Sequence, residues 1–154
     1  MIMATLTPEM KDFIANNLAW ITTISKDGDL DIGPKMSMFV LDDNHLAYHE
    51  RTAGQHYRNL EDGSPLVVAH ANLAAKKGYR FRGNVVLHKN DDIYDAPVTV
   101  AEAKGTTKPA AVPVLATTEI DDPSAGPTGG TTIAKARTRR TPDAPSAARP
   151  PPRT

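Results

Sequence analysis

HLAYHERTAGQHYRNLEDGSPLVVAHA, residues 45–71, sets the pattern from which the rest of the chain is read. Residues 45–49 form a brief strand, and residues 65–71 are a continuous apolar run of the kind buried on both faces of a sheet. Between them Thr52 and Gln55, three apart, have the form of a capping box, and His56-Tyr57-Arg58-Asn59-Leu60 supplies about two turns of helix behind it. The approach to that helix, from Arg51 to His56, gathers a guanidinium, a hydroxyl, an amide, an imidazole and several backbone N–H groups that a helix start leaves unpaired. An anion site needs these groups, and Gly54 lets the backbone approach closely. An ordinary capped surface helix has the same composition, so these residues alone leave both readings standing.

Strand signals continue on either side. Thr7-Pro8-Glu9 starts a helix, because Thr7 can cap, Pro8 suits the first helical position and Glu9 favours the positive end of the dipole. Asn16 and Asn17 end it, and Trp20-Ile21-Thr22-Thr23-Ile24 has the composition of a strand. After a turn at Lys26-Asp27-Gly28-Asp29 the chain is extended over residues 30–41, interrupted at Gly33-Pro34, where the missing donor points to an edge or a bulge. A long strand is expected over residues 79–89, a helix weakened by Pro97 over residues 91–104, and a last strand over residues 110–120. Pro113 assigns that last strand to an edge or bulge position. Short strands joined by turns, with few helices, describe a closed or nearly closed antiparallel barrel.

The chain has 154 residues, 18 Lys+Arg, 18 Asp+Glu and no cysteine. One domain and an appendage fit that length, and the absence of thiols excludes disulfides, thiolate metal sites and a cysteine nucleophile. Residues 1–134 carry 12 basic and 17 acidic side chains, whereas residues 135–154 carry six basic side chains against Asp143 alone. Five prolines and no large apolar residue other than alanine-sized ones fall in that last segment, which has too little to bury to offset the entropy of ordering. The expected organisation is a domain over residues 1–134 and a disordered basic Pro/Ala/Arg-rich tail over residues 135–154. A short basic cluster can attract phosphate backbones, but the acidic domain argues against a nucleic-acid role. With neither a membrane-length apolar run nor a secretory signal in the sequence, the expected location is the cytoplasm.

Two further clusters carry polar chemistry. Lys35 and Ser37 alternate with Met36 and Met38, which places the polar pair on one side of an extended strand; a half-exposed strand with two core methionines would look the same. Tyr79-Arg80-Phe81-Arg82 gives an apolar face and a cationic face, the latter suited to carboxylates or a ligand anion. The histidines His45, His49, His56, His70 and His88 lack metal-site spacing, so no metal is expected. There is neither a Gly-rich nucleotide loop after a strand nor a serine in a nucleophile elbow, and no catalytic side chain is assigned.

Taken in order, residues 19–28, Gly33-Pro34-Lys35, Leu41-Asp42-Asp43, the run from Arg51 to Leu60, residues 78–83 and Ser124-Ala125-Gly126-Pro127 resemble the small pyridoxamine 5′-phosphate oxidase-like family of FMN-binding split barrels. The resemblance implies a mainly β fold with small helices, a six-stranded antiparallel split barrel, and a homodimer with FMN in a groove between subunits. It places Arg51, Thr52, Gln55 and His56 around the flavin phosphate, with Asn59 supporting the turn. Lys35 and Ser37 would lie along the ring, and Arg82 is a further contact. The implied function is an oxidoreductase passing hydride or electrons between the flavin and a small-molecule donor or acceptor. Alternatives within the same resemblance are a non-catalytic flavin or electron-transfer module, or a deazaflavin or haem binder. The substrate-binding basic pattern of the true pyridoxamine phosphate oxidases is not evident, so oxidation of pyridoxamine phosphate is not expected.

Overall fold

Alternating burial along the strands decides where the core lies. The structure, a computed structural model, describes residues 3–136. Helix α1 (Pro8–Asn16) begins as its sequence requires: the Thr7 hydroxyl accepts from the Met10 N–H at 3.2 Å with Pro8 in the first turn, and Asn17 closes it in an extended conformation. Its buried face carries Met10 and Ile14, and Phe13 meets the Tyr79 ring edge-on at 5.1 Å.

Strand β1 (Ala19–Ile24) points Ala19, Ile21 and Thr23 inward and leaves Trp20 and Ile24 exposed. Gly28, at φ +88°, closes the hairpin to β2 (Leu30–Lys35), which pairs only with β1 and forms one edge of the sheet. Gly33-Pro34 thus occupies an edge, as its missing donor demands. The extended stretch is shorter than its sequence pattern, however. It stops at Lys35, Met36 and Ser37 lie in a turn, and β3 (Phe39–Val40) resumes it. Lys35 and Ser37 are therefore not alternate residues of one strand, and Met36 is 88% exposed rather than a core residue.

Strand β4 (His45–Ala47), helix α2 (Gln55–Glu61) and strand β5 (Leu66–Asn72) follow. In β5, Leu66, Val68 and His70 are buried and Val67 and Ala69 half-buried, so the apolar run has one core face rather than two. Strand β6 (Lys77–His88) buries Tyr79 and Phe81 and turns Arg80 and Arg82 outward onto Asp121. Helix α3 (Asp92–Lys104) runs through Pro97, capped by the Asp91 carboxylate and ended by Gly105 at φ +66°. Strands β7 (Val112–Asp122) and β8 (Thr131–Lys135) follow, the last elements among the described residues.

The strands make one curled antiparallel sheet in the order β2-β1-β5-β6-β7-β4-β3, with β8 also on β7. It is the mainly β, split-barrel architecture expected from the sequence, with the short β3 and β8 adding to the expected six strands. Ile21, Leu46, Leu66, Val68, Phe81, Leu115 and Ile120 fill its concave face, and a smaller cluster of Ala47, Val112 and Val114 is covered by Phe39, Ile93 and Tyr94. Pro113 departs from expectation: β7 is a central strand, with β6 along one edge and β4 along the other. The proline is tolerated because β4 ends at Ala47, just before the position that would need its N–H, and the Tyr48 N–H still donates to the Pro113 carbonyl at 3.3 Å. Lys135 pairs with Glu119 in β8 and the Ala136 N–H donates to the Thr118 carbonyl, so the ladder runs two residues into the stretch expected as tail. The remainder of that tail, residues 137–154, lies outside the described residues. Among the described residues no helix is long and apolar enough to cross a membrane.

The β6–β7 ladder shifts register between Arg82 and Gly83, where the two backbones approach closely. A Cβ on Gly83 would lie 1.9 Å from the Ala116 carbonyl oxygen, whereas one on Gly33 would meet nothing within 4 Å. Gly83→Ala is expected to lower unfolding free energy by about 2 kcal/mol or more and Gly33→Ala by less than about 0.5 kcal/mol, as read by urea denaturation.

Candidate functional site

The segment that joins the end of β4 to α2 is organised by a carboxylate. Glu50 continues the β4 line as an isolated bridge to Ala111, its N–H donating to the Ala111 carbonyl at 2.9 Å, and its side chain is 1% exposed. Its Oε1 accepts from the N–H groups of Thr52 and Ala53, each at 3.0 Å. Lys35 Nζ completes the arrangement at 3.2 Å from Oε1 and 3.0 Å from Oε2. A buried carboxylate needs such partners, since the cost of desolvating it is otherwise unmet. The Thr52–Gln55 capping box consequently does not form. Gly54 is the N-cap of α2 with no side-chain cap, and Ala53 takes a left-handed φ of +50° to bring its N–H to Glu50.

Behind this turn lies a second pair, a buried tyrosine and a half-buried histidine. Tyr48, 1% exposed, and His56 Nε2 are 2.6 Å apart, and Lys35 Nζ sits 5.4 Å from the centre of the Tyr48 ring. Burial, reinforced by the Glu50 charge, holds the Tyr48 phenol well above its ordinary range, so it keeps its proton and donates. Burial pushes His56 down to about 4, with Lys35 adding to the effect against Glu50, so the imidazole is neutral. Its own proton then belongs on Nδ1, which is enclosed and has no partner. Gln55 donates to Asn59 Oδ1 at 2.7 Å, and the buried Asn59 donates to Thr23 Oγ1 at 3.1 Å, which fixes the Gln55 side chain from below.

Between this segment and β2 runs a groove with two lobes. The inner lobe, about 190 Å³, is walled by Asp31, Lys35, Glu50, Thr52, Gln55 and His56. The outer lobe, about 360 Å³, is walled by Lys35, Met36, Ser37, His49, Arg51 and Thr52. Six of the sequence-derived candidates, Lys35, Ser37, Arg51, Thr52, Gln55 and His56, therefore line one groove, with Asn59 beneath it. Arg51 is separated from Gln55 and His56, however: it faces the outer lobe, its Nε donating to the Thr107 carbonyl at 3.2 Å and its Nη2 lying 3.4 Å from His49 Nδ1. Arg82 is elsewhere, on the outer sheet face, where it and Arg80 both donate to Asp121 Oδ2 at 3.0 and 3.1 Å. Burial opposes ionisation of Asp121, but the bonds from Arg82 and Arg80 outweigh it and hold the carboxyl below its usual range.

The lobes differ in charge. Two carboxylates, Asp31 and Glu50, face the inner one against Lys35 alone, whereas Lys35 and Arg51 face the outer one with no carboxylate. Sequence reading missed Glu50 and Tyr48. The usable signal was an acid two residues before Thr52, placed to receive the N–H groups of a following turn. Among the described residues no group of three or more His, Cys, Asp or Glu side chains gathers as a metal site.

Burial also lowers His49 and His70, the former helped by the Arg51 charge and the latter opposed by its bond to the Asn17 carbonyl. With His56 they remain neutral in the folded chain at pH values where the unfolded chain takes up protons, so their stabilisation is full above about pH 6.5 and is lost as pH falls towards the folded values. The urea midpoint is expected to be flat from pH 8 to 7 and to fall between pH 6.5 and 4.5, and His56→Gln should flatten part of that fall.

A family model for pyridoxamine 5′-phosphate oxidase matches residues 6–124. Among solved structures, the HupZ protein of group A Streptococcus is 34% identical over 81% of this chain and 99% of its own, with a TM-score of 0.73. A Lactobacillus delbrueckii protein named for pyridoxamine 5′-phosphate oxidase is 30% identical over 75% of this chain and 93% of its own, with a TM-score of 0.64. An FMN-binding protein of Syntrophomonas wolfei shares the fold at 15% identity, over 76% of this chain and 85% of its own, with a TM-score of 0.60. No curated protein matches the chain. The match over residues 6–124, on a curled antiparallel sheet with its groove between an edge strand and a short helix, shows that this chain belongs to the pyridoxamine 5′-phosphate oxidase family.

Proposed function

We propose that the chain binds FMN in the two-lobed groove, as a homodimer in the cytoplasm, and acts as an oxidoreductase towards a small-molecule electron donor or acceptor. The observation that carries this reading is the charge division of the groove. A phosphate placed in the inner lobe would meet Asp31 and Glu50, and the Thr52 and Ala53 N–H groups it would need are already held by Glu50. The outer lobe offers Arg51 and Lys35 with the hydroxyl of Thr52, a donor set suited to a phosphate, while the Ser37 hydroxyl is held by the His49 backbone and shapes the wall. The residues thus fit the group, with the phosphate at the Arg51 end.

Bound flavin would supply the hydride or electron chemistry, which this cysteine-free chain does not carry in its own side chains. The chain's residues hold and orient. Arg51 and Lys35 would neutralise the phosphate, β2 would line the ring from Gly33 to Lys35, and Gln55, fixed by Asn59, would present its amide at the inner end. The enclosed His56 and Tyr48 pair stiffens that wall. Arg82 enters this proposal only across a subunit boundary, because in its own subunit it lies on the opposite sheet face.

Support for the second subunit comes from that face. Trp20, Ile24, Leu30 and Ile32 are 43%, 38%, 76% and 68% exposed, and the β1–β2 register places Leu30 opposite Ile24 and Ile32 two pairs further along, on the same face. Contiguous apolar exposure on an edge strand is a surface that soluble chains normally cover.

Titration of FMN and riboflavin by fluorescence quenching tests the phosphate assignment. FMN is expected to bind the more tightly, and Arg51→Ala should weaken FMN by about tenfold to a hundredfold while riboflavin barely moves. Equal losses for both ligands would remove the phosphate role of Arg51. Sedimentation should report about twice the chain mass, with Ile32→Glu shifting the protein to monomer; a wild-type monomer that holds one flavin per chain would overturn the shared site.

A further inference from the structure

A second cavity lies beside the outer lobe and shares His49 with it. Its volume is about 550 Å³, bounded by Phe39 and Leu41 at β3 and by Ile93, Ala96 and Val100 of α3, and among the described residues its polar wall residues are His49 and the exposed Asp92. His49 is rigidly held. Its backbone N–H donates to Ser37 Oγ at 3.0 Å, its carbonyl accepts from the same hydroxyl at 3.3 Å, and its ring stands edge-on to Phe39 at 5.6 Å. Nδ1 faces the Arg51 guanidinium, which can only donate, so Nδ1 is the acceptor and the proton of the ring lies on Nε2. The ring is thus a fixed hydrogen-bond donor at the junction of an apolar cavity and a cationic groove.

We propose that this cavity is a binding site for an apolar aromatic carbonyl compound, its ring against Phe39, Leu41, Ile93, Ala96 and Val100 and its carbonyl oxygen accepting from His49 Nε2. The volume lies in the range of small-molecule sites, and a concave apolar wall with one placed donor is their usual chemistry. The shared His49 sets the occupant beside whatever the groove holds, as the electron partner of a bound flavin must be. That role rests on the flavin reading, whereas binding itself does not.

The test is calorimetric titration of the full chain with 1-acetonaphthone and with 1-ethylnaphthalene, which has nearly the same shape and no carbonyl. The ketone should bind about tenfold more tightly, the difference one hydrogen bond makes. His49→Phe should erase that difference and leave the hydrocarbon unchanged. Val100→Trp, which fills the cavity from α3, should abolish binding of both compounds without altering FMN affinity. Equal binding of the two compounds, no binding of either, or binding retained in Val100→Trp overturns the proposal. Loss of the dimer in Val100→Trp, with no binding to wild type, would assign the cavity to a second copy instead. Ketone binding that persists where FMN fails to bind would remove the flavin reading and leave this one standing.

Discussion

A buried carboxylate organises the functional end of this molecule. Glu50 ties three separate segments together: β2 through Lys35, the residue before β7 through the bridge to Ala111, and the turn into α2 through the Thr52 and Ala53 N–H groups. Removing either member of such an ion pair leaves an uncompensated charge and costs about 3–5 kcal/mol. The pair therefore acts as a constraint more than as a source of stability. It sets the distance between the edge strand and the helix, and the groove is the space left between them.

The same constraint explains how the groove divides. With its own anion already seated in the turn, the inner lobe cannot serve as the positive cradle that an uncapped helix start would otherwise provide. Positive charge accumulates one step further out, at Arg51, which no carboxylate faces in the outer lobe. His49 and His56 are both held below the ordinary imidazole range beside these charges, chiefly because they are half-buried. The site is thus a graded surface, from an acidic, hydrogen-bonding inner end through a cationic middle to the apolar cavity under α3.

The sheet makes this arrangement available by remaining open. Gly33-Pro34 keeps β2 an edge strand that pairs on one side only, and the close approach at Gly83 bends the long β6–β7 ladder so that its concave face closes over Phe81, Leu115 and Ile120. Pro113 shows how the same residue type has a different consequence in the interior. It interrupts the ladder after Ala47, and Tyr48 and Glu50, each still donating one backbone N–H to the facing segment, carry the chain on into the site.

Local chemistry was legible in the amino-acid order wherever a signal is completed by neighbours a few residues away. Thr7 caps α1, Gly28 turns the first hairpin, a helix spans most of residues 91–104, and the alternation in residues 79–82 divides core from cation face, because each rests on backbone geometry or periodicity within one element. Membership of most candidates in one groove was legible for a related reason: the segments from Lys35 to Ser37 and from Arg51 to Asn59 each carry a recognisable order of residues. What sequence by itself could not decide was which partner each polar group takes. Thr52 and Gln55 have the spacing of a capping box, yet the N–H groups at that turn belong to Glu50. Arg82 matches a ligand contact, yet Asp121 claims it from a strand 39 residues away. The competition between a local partner and a distant one is settled by burial and by the facing strand, and those exist only once the sheet has formed.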